Sequence, residues 1–249
     1  MVIAVVIVTL LKFFFTGKKY LLLYVALVVA GALTILPMTV KVYEKITGDT
    51  IADGVTMYSY VAMGMQEAQR GPGWYNGFNF NTYEQTGMDT EKTNEIANEA
   101  IKERLSYFKE NPGYAAEFYG KKFLSQWTDP TLASCQATWA DGGNRAAFVY
   151  EIYNGKYNKY YVFICNIFQN LVCIGAAIYG AKKTLSLAKK KDKKDSSYEY
   201  LFMITVFGGF LFHMFWEANS RYILLYAMML VPYAAAGFGE IFHAKGREE

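Results

Sequence analysis

Cysteine and histidine are scarce in this chain, three of the first and two of the second among 249 residues. Cys165 and Cys173 fall in one apolar run and Cys135 stands alone in a polar segment, so no disulfide framework is available. No CxxC or Cys/His cluster has the spacing of a zinc site, and nothing identifies another cofactor. Strand-like alternation is missing, as is any internal repeat. The formal net charge of +3 is small, and nothing in its distribution calls for nucleic acid. A signal peptide would need a basic start and a small-residue cleavage site, and the N-terminus has neither.

What the chain has instead is long apolar runs. Residues 20–40 (YLLLYVALVVAGALTILPMTV), 160–180, 200–216 and 222–242 meet or approach the roughly 20 residues that a helix needs to cross a hydrocarbon core of about 30 Å. The polar stretch between the first two cannot cross, and a mean hydropathy of +0.08 averages these unlike parts. The expectation is an all-α polytopic transmembrane bundle with a helical extracytoplasmic domain inserted between spans, embedded in a lipid bilayer. Residues 1–40 form a transmembrane hairpin, 41–159 the inserted domain, 160–242 the remaining spans with a basic loop at 181–199, and 243–249 a tail. Residues 1–15 are short, contain Lys12 and have no polar lead, which reads as a start inside a longer protein.

Orientation follows from the lysines. Lys18 and Lys19 sit in a short turn between apolar runs, and AKKTLSLAKKKDKKD at 181–195 separates two others. The positive-inside rule puts both in the cytoplasm. Alternation then places 41–159 and the turn at 217–221 outside, and the tail with Lys245 and Arg247 inside. His213 and His243 fall on opposite sides of the membrane, so they cannot share a metal, and no metal site is expected.

Within 41–159 the apolar spacing predicts helices over 51–68 (Met57, Val61, Met65), over 91–109 with a cap at Asp89-Thr90-Glu91, and over 114–127. The second has an apolar stripe of Ile96, Ala100, Ile101, Leu105 and Phe108. Gly71-Pro72-Gly73 and Asn111-Pro112-Gly113 stop the first two. The third carries Lys121-Lys122 between Phe118, Leu124 and Trp127, and either lies on a membrane surface or packs on its neighbours.

Two clusters are rich in side chains that recognise ligands. In the loop 71–87, Trp74, Tyr75, Phe78, Phe80 and Tyr83 alternate with Asn76, Asn79 and Asn81. Aromatic faces stack on sugar C–H groups and amides hold hydroxyls, so Trp74, Tyr75, Asn76, Asn79 and Asn81 are candidate sugar or acceptor contacts. The same residues also suit an ordered loop resting at a membrane interface. In the outer turn, His213, Glu217, Arg221 and Tyr222 are candidate ligands of an anionic head group, with arginine the phosphate contact. His213 and Glu217 are four apart and could share a helical face. The alternative is a Glu217–Arg221 pair that closes the turn, with Asn219 or Ser220 capping the next helix. Asn166, Gln169 and Asn170 read as interhelical amides, and Pro232, Gly237 and Gly239 as marks of a kinked or closely packed last helix.

Several of these runs carry a resemblance. They are Met63-Gly64-Met65-Gln66-Glu67, Gly73-Trp74-Tyr75-Asn76-Gly77-Phe78-Asn79, Asn111-Pro112-Gly113-Tyr114, Lys121-Lys122-Phe123 with Trp127, and Trp216-Glu217-Ala218-Asn219-Ser220-Arg221-Tyr222. Together they resemble the C-terminal half of polytopic GT-C glycosyltransferases of Gram-positive bacteria, similar to protein O-mannosyltransferases and aminoarabinose transferases. The resemblance implies transfer of a sugar from a polyprenyl-phosphate donor to an acceptor on the outer face. Arg221 would stabilise the leaving phosphate, and Trp74, Tyr75 and the nearby asparagines would hold the sugar.

The resemblance also implies a catalytic carboxylate in an early external loop that this sequence lacks. Asp49, Asp53, Glu67, Asp129 and Asp141 are not separated by spacing, so the catalytic residue stays unassigned. The chain is therefore expected to need an N-terminal membrane half and to be inactive alone. A non-catalytic cell-envelope scaffold is the alternative. A transporter would need broken spans in matching halves, for which only the amides at 166–170 and Pro232 speak.

The topology is testable by labelling. With the native cysteines replaced, a cysteine at Asn94 should react with an impermeant maleimide added to intact cells, and one at Lys191 should be protected. The reverse pattern would overturn the orientation.

Overall fold

The computed structural model describes residues 1–51, 53–140, 146–188 and 197–245. The described residues form eleven α-helices: α1 (Val2–Thr16), α2 (Tyr20–Thr47), α3 (Met57–Gly64), α4 (Phe78–Gln85), α5 (Thr90–Glu110), α6 (Pro112–Trp127), α7 (Ser134–Ala140), α8 (Ala147–Tyr153), α9 (Asn158–Ala188), α10 (Leu201–Phe215) and α11 (Leu224–Lys245). Among these residues the sole strand-like contact is an isolated bridge between Trp74 and Ala218. The expected all-α class is what forms. Asp141, Arg247 and the lysine-rich stretch 189–194 lie outside the described residues.

Three helical stretches, Tyr20–Thr47, Asn158–Ser186 and Ser220–Phe242, are long and apolar enough to cross a membrane, and α1 and α10 are shorter apolar helices. This is a membrane protein. At 28 residues α2 is about 42 Å long, which exceeds the core thickness. Its Thr34 and Thr39 hydroxyls donate back to the carbonyls of Ala30 and Ile35, so neither is left unpaired in the apolar stretch. α9 and α11 make the most extensive packing in the bundle. Gly237 lies against the Gly175 carbonyl, where a Cβ would collide, whereas Gly239 faces open space. At one end of this pair Lys182 pairs with Glu240, and Lys183 with Glu199. At the other, Gln169 Nε2 donates to the Trp127 carbonyl at 3.0 Å. Asn166 and Asn170 are exposed and make no side-chain hydrogen bond among the described residues, so Gln169 alone performs the interhelical role expected of the three.

The inserted segment packs α3, α5 and α6 around Met65, Phe108 and Phe118. Asp89 caps α5 by accepting the Lys92 N–H at 3.0 Å, and Pro112 occupies the first turn of α6, where its missing N–H costs nothing. The buried stripe of α5 is rotated from the one expected. Thr93, Ala97 and Phe108 are buried, while Ile96 and Leu105 are exposed. Arg104 occupies that face because its Nε donates to the Met65 carbonyl at 2.7 Å and its guanidinium lies 4.6 Å from the Phe108 ring. The first helix of the inserted segment is shorter than expected, starting after the Thr56 cap and ending at Gly64. The loop 71–87 contains a helix, α4, introduced by the Asn76 side chain accepting the Phe78 N–H at 3.0 Å.

One side chain joins this segment to α10. Lys122 on α6 is 1% exposed, and its ammonium donates to the carbonyls of Gly64 (2.5 Å), Trp216 (2.7 Å) and Met214 (3.0 Å). These carbonyls belong to the C-terminal ends of α3 and α10, where orphan acceptors and the negative ends of two helix dipoles converge. Burial pushes the Lys122 amine down to about 7. Gly73, at φ +74°, leaves room for this lysine: a Cβ there would meet Lys122 Cδ and the Gly64 carbonyl at 2.7 Å.

Lys122→Met keeps most of the volume and removes every donor. It should destabilise the docked helices by about 3 kcal/mol, since buried carbonyls lose charge-assisted bonds. Lys121→Met, at an exposed lysine paired with Glu117, should leave stability unchanged. Unfolding of the purified protein in detergent measures both.

Candidate functional site

The site is built on the segment that leaves α10. After Phe215 the chain turns extended at Trp216 and threads through the inserted segment, which supplies partners for its polar groups. The Ala218 N–H donates to the Gly73 carbonyl (2.7 Å), Gln126 Nε2 donates to the Asn219 carbonyl (3.3 Å), and Ser220 Oγ donates to Asp129 Oδ2 (2.6 Å). The Trp216 ring stacks on Tyr60 at 5.2 Å. Asn219 caps the next turn, its Oδ1 accepting the Arg221 N–H at 3.2 Å.

These contacts leave Arg221 exposed at a cavity of about 550 Å³. Tyr60, Tyr75 and Asn79 line it from one side, Leu132, Ala133 and Ser134 from another, and Glu217, Asn219, Arg221 and Tyr222 from a third. The two clusters singled out in the sequence thus meet in part, through Tyr75 and Asn79 on one hand and Glu217, Arg221 and Tyr222 on the other. The remaining candidates lie elsewhere. Trp74 is buried, with Nε1 donating to Ser125 Oγ at 2.8 Å and the Arg70 guanidinium 4.3 Å from its ring, so it supports the wall without facing the cavity. Asn76 and Asn81 line a separate shallow depression beside Glu67, with Tyr75 on the rim of both. His213 is buried against the Tyr222 ring at 5.9 Å, and its Nδ1 has no hydrogen-bond partner among the described residues.

Two expectations about the turn are corrected. Because α10 ends at Phe215, His213 and Glu217 are not successive positions on one helical face. The Glu217–Arg221 ion pair is also absent among the described residues: the nearest side-chain partner of Glu217 is the Tyr222 hydroxyl at 3.5 Å, and the Arg221 guanidinium sits 5.6 Å from the Tyr222 ring. Burial raises the Glu217 carboxyl, with the Arg221 charge and the Tyr222 hydroxyl offsetting only part of the rise.

Asp129, undistinguished in the sequence, organises the wall. It accepts hydrogen bonds from Ser220 Oγ, from the N–H and hydroxyl of Thr131, and from the Ala133 N–H at 2.9 Å. Burial by itself raises its carboxyl, but these bonds outweigh it and hold the carboxyl below the usual range. The turn they close puts Leu132 and Ala133 at φ 51° and 62°, a conformation that L-residues rarely adopt. The Asp129-Pro130 dipeptide is the one local signal of such a turn. Of the other carboxylates of the inserted segment, Glu67 accepts the Tyr114 hydroxyl at 2.6 Å, while Asp49 and Asp53 are exposed.

Leu132 also borders a second space, an apolar groove of about 440 Å³ between α6, α9, α10 and α11. Phe123, Trp127, Phe168, Val172, Phe210 and Met228 are among its walls. A cavity of mixed lining that carries a cation and an apolar groove among the helices therefore share one residue.

No family model, no curated protein and no solved structure matches the chain.

Asp129→Asn should weaken the wall by about 2 kcal/mol near neutral pH, through loss of charge-assisted bonds. The depressed folded value makes the Asp129 contribution fully present above the unfolded value of about 3.8 and lost as pH falls below it. Tryptophan fluorescence during acid titration should show this step in the parent and not in Asp129→Asn.

Proposed function

We propose that this chain is the donor-binding part of a GT-C-like membrane glycosyltransferase, holding a polyprenyl-phosphate sugar at the extracytoplasmic boundary. The observation that carries the reading is that the Arg221 cavity and the apolar groove have Leu132 as a common wall residue. A lipid phosphate needs that combination, a planar cation for the phosphate and an apolar channel for the chain beside it. The groove accepts the isoprenoid chain, the Arg221 guanidinium takes the phosphate and Tyr75 offers a ring face to the sugar.

In the transfer, the acceptor oxygen bonds to the anomeric carbon as the bond from that carbon to the phosphate oxygen breaks. Negative charge develops on the leaving polyprenyl phosphate, where Arg221 stabilises it. The acceptor proton passes to a base that the resemblance assigns to an early external loop. The segment 41–159 faces outward in this reading, consistent with the lysines of the turns on the opposite side.

Binding to the purified chain tests the reading. Arg221→Ala should weaken binding of citronellyl phosphate about a hundredfold, in line with the roughly 3 kcal/mol that one preorganised charge-stabilising donor contributes. Arg221→Lys should recover part of the loss, because it keeps the charge without the two-pronged geometry. Unchanged binding in Arg221→Ala, with folded yield preserved, would leave the turn a packing feature and favour a scaffold.

A further inference from the structure

We infer that Glu217 and Asn79 form a pair that reads neighbouring hydroxyls on the bound head group, so that the site selects a sugar ester of a lipid phosphate over the bare phosphate or an amine-bearing ester. The inference rests on the lipid-phosphate reading above and assigns Glu217 a different role from Arg221. Both side chains line the cavity, and each is only 5% exposed. Asn79 Oδ1 accepts the Phe80 N–H at 2.8 Å, which leaves its Nδ2 without a partner among the described residues. Glu217 has only the distant Tyr222 hydroxyl on Oε2, and Oε1 has no partner among those residues. A donor and an acceptor on two largely buried side chains thus open on the same space, where the hydroxyls of a ligand can take the place of water.

Charge narrows the ligand further. The Glu217 carboxyl shares the cavity with Arg221 but not an ion pair, so a phosphate on the arginine meets a repulsive group unless a neutral hydrogen-bonding moiety lies between them. Two adjacent hydroxyls fit this demand, one donating to Glu217 and the other accepting from Asn79 Nδ2. An ammonium group would satisfy Glu217 and leave the Asn79 donor opposed by a cation. Tyr75, 59% exposed at the rim, supplies a face for the C–H side of the ring.

The test uses the full chain in lipid nanodiscs and measures affinity for citronellyl phosphate, its glucose, mannose and galactose esters, and its ethanolamine ester. At least one sugar ester should bind about tenfold more tightly than citronellyl phosphate and the ethanolamine ester, the range expected for hydrogen bonds that satisfy buried polar groups. Glu217→Gln and Asn79→Ala should each reduce that ratio towards one while citronellyl phosphate itself still binds. Should Glu217→Gln fail to fold, Glu217→Asp and Asn79→Ala decide. A parent that prefers no sugar ester, one that prefers the ethanolamine ester, or a preference that survives in both variants would overturn the pair. Failure of the parent to bind citronellyl phosphate at all would remove the lipid-phosphate reading, and the pair with it.

Discussion

One ammonium joins the helices of the inserted segment to the end of the apolar helix α10. Lys122 reaches from α6 to the spent ends of α3 and α10 and satisfies carbonyls from both. Burying a lysine without a carboxylate is unfavourable unless its donors are matched, and here two helix C-termini provide matched acceptors and a negative field. Remove that match and the α10 end loses its anchor in the inserted segment. The close approach at Gly73 and the Trp216 stack on Tyr60 both depend on the same docking.

The cavity is a consequence of how the segment after α10 is held. Its backbone is bonded by Gly73 and Gln126, and its Ser220 hydroxyl by Asp129, so little of its geometry rests on the residues of the turn itself. Arg221 is thereby left free of a fixed carboxylate partner. A direct pair with Glu217 would have neutralised the cation and closed the space. Asp129 acts twice: it anchors Ser220, and it closes the turn that carries Leu132 to the border between polar cavity and apolar groove.

The spans were legible because a hydrocarbon core imposes length and composition together, and no neighbour is needed to read either. The cap at Asp89 and the stop at Asn111-Pro112-Gly113 were equally visible, since they act within one turn. The face of α5 was misjudged because Arg104, polar by type, is drawn half-buried into that face by the Met65 carbonyl and by aromatic rings of α5 and α6. The helix with Lys121-Lys122 was read as lying on a membrane surface or packing on its neighbours, with no distinction between the two lysines. Nothing local distinguishes the two lysines, yet one is 1% exposed and the other pairs with Glu117 in solvent.

The candidate site divides in the same manner. Residue types alone marked Arg221 as a phosphate ligand and the loop 71–87 as rich in ring faces and amides, because those properties belong to single side chains. Which of them share a space was decided by tertiary packing: α4 turns Asn79 towards the cavity and leaves Asn76 and Asn81 on another surface, and the bond from Trp74 to Ser125 withdraws the indole into the wall. The sequence by itself determined an all-α membrane protein, its spans and its local caps, through hydrophobicity and short-range hydrogen bonding. The placing of the Arg221 cavity beside the apolar groove needed Asp129, Lys122 and the Trp216–Ser220 segment to meet across 91 to 94 positions of chain, and contacts at such separation leave no periodic trace.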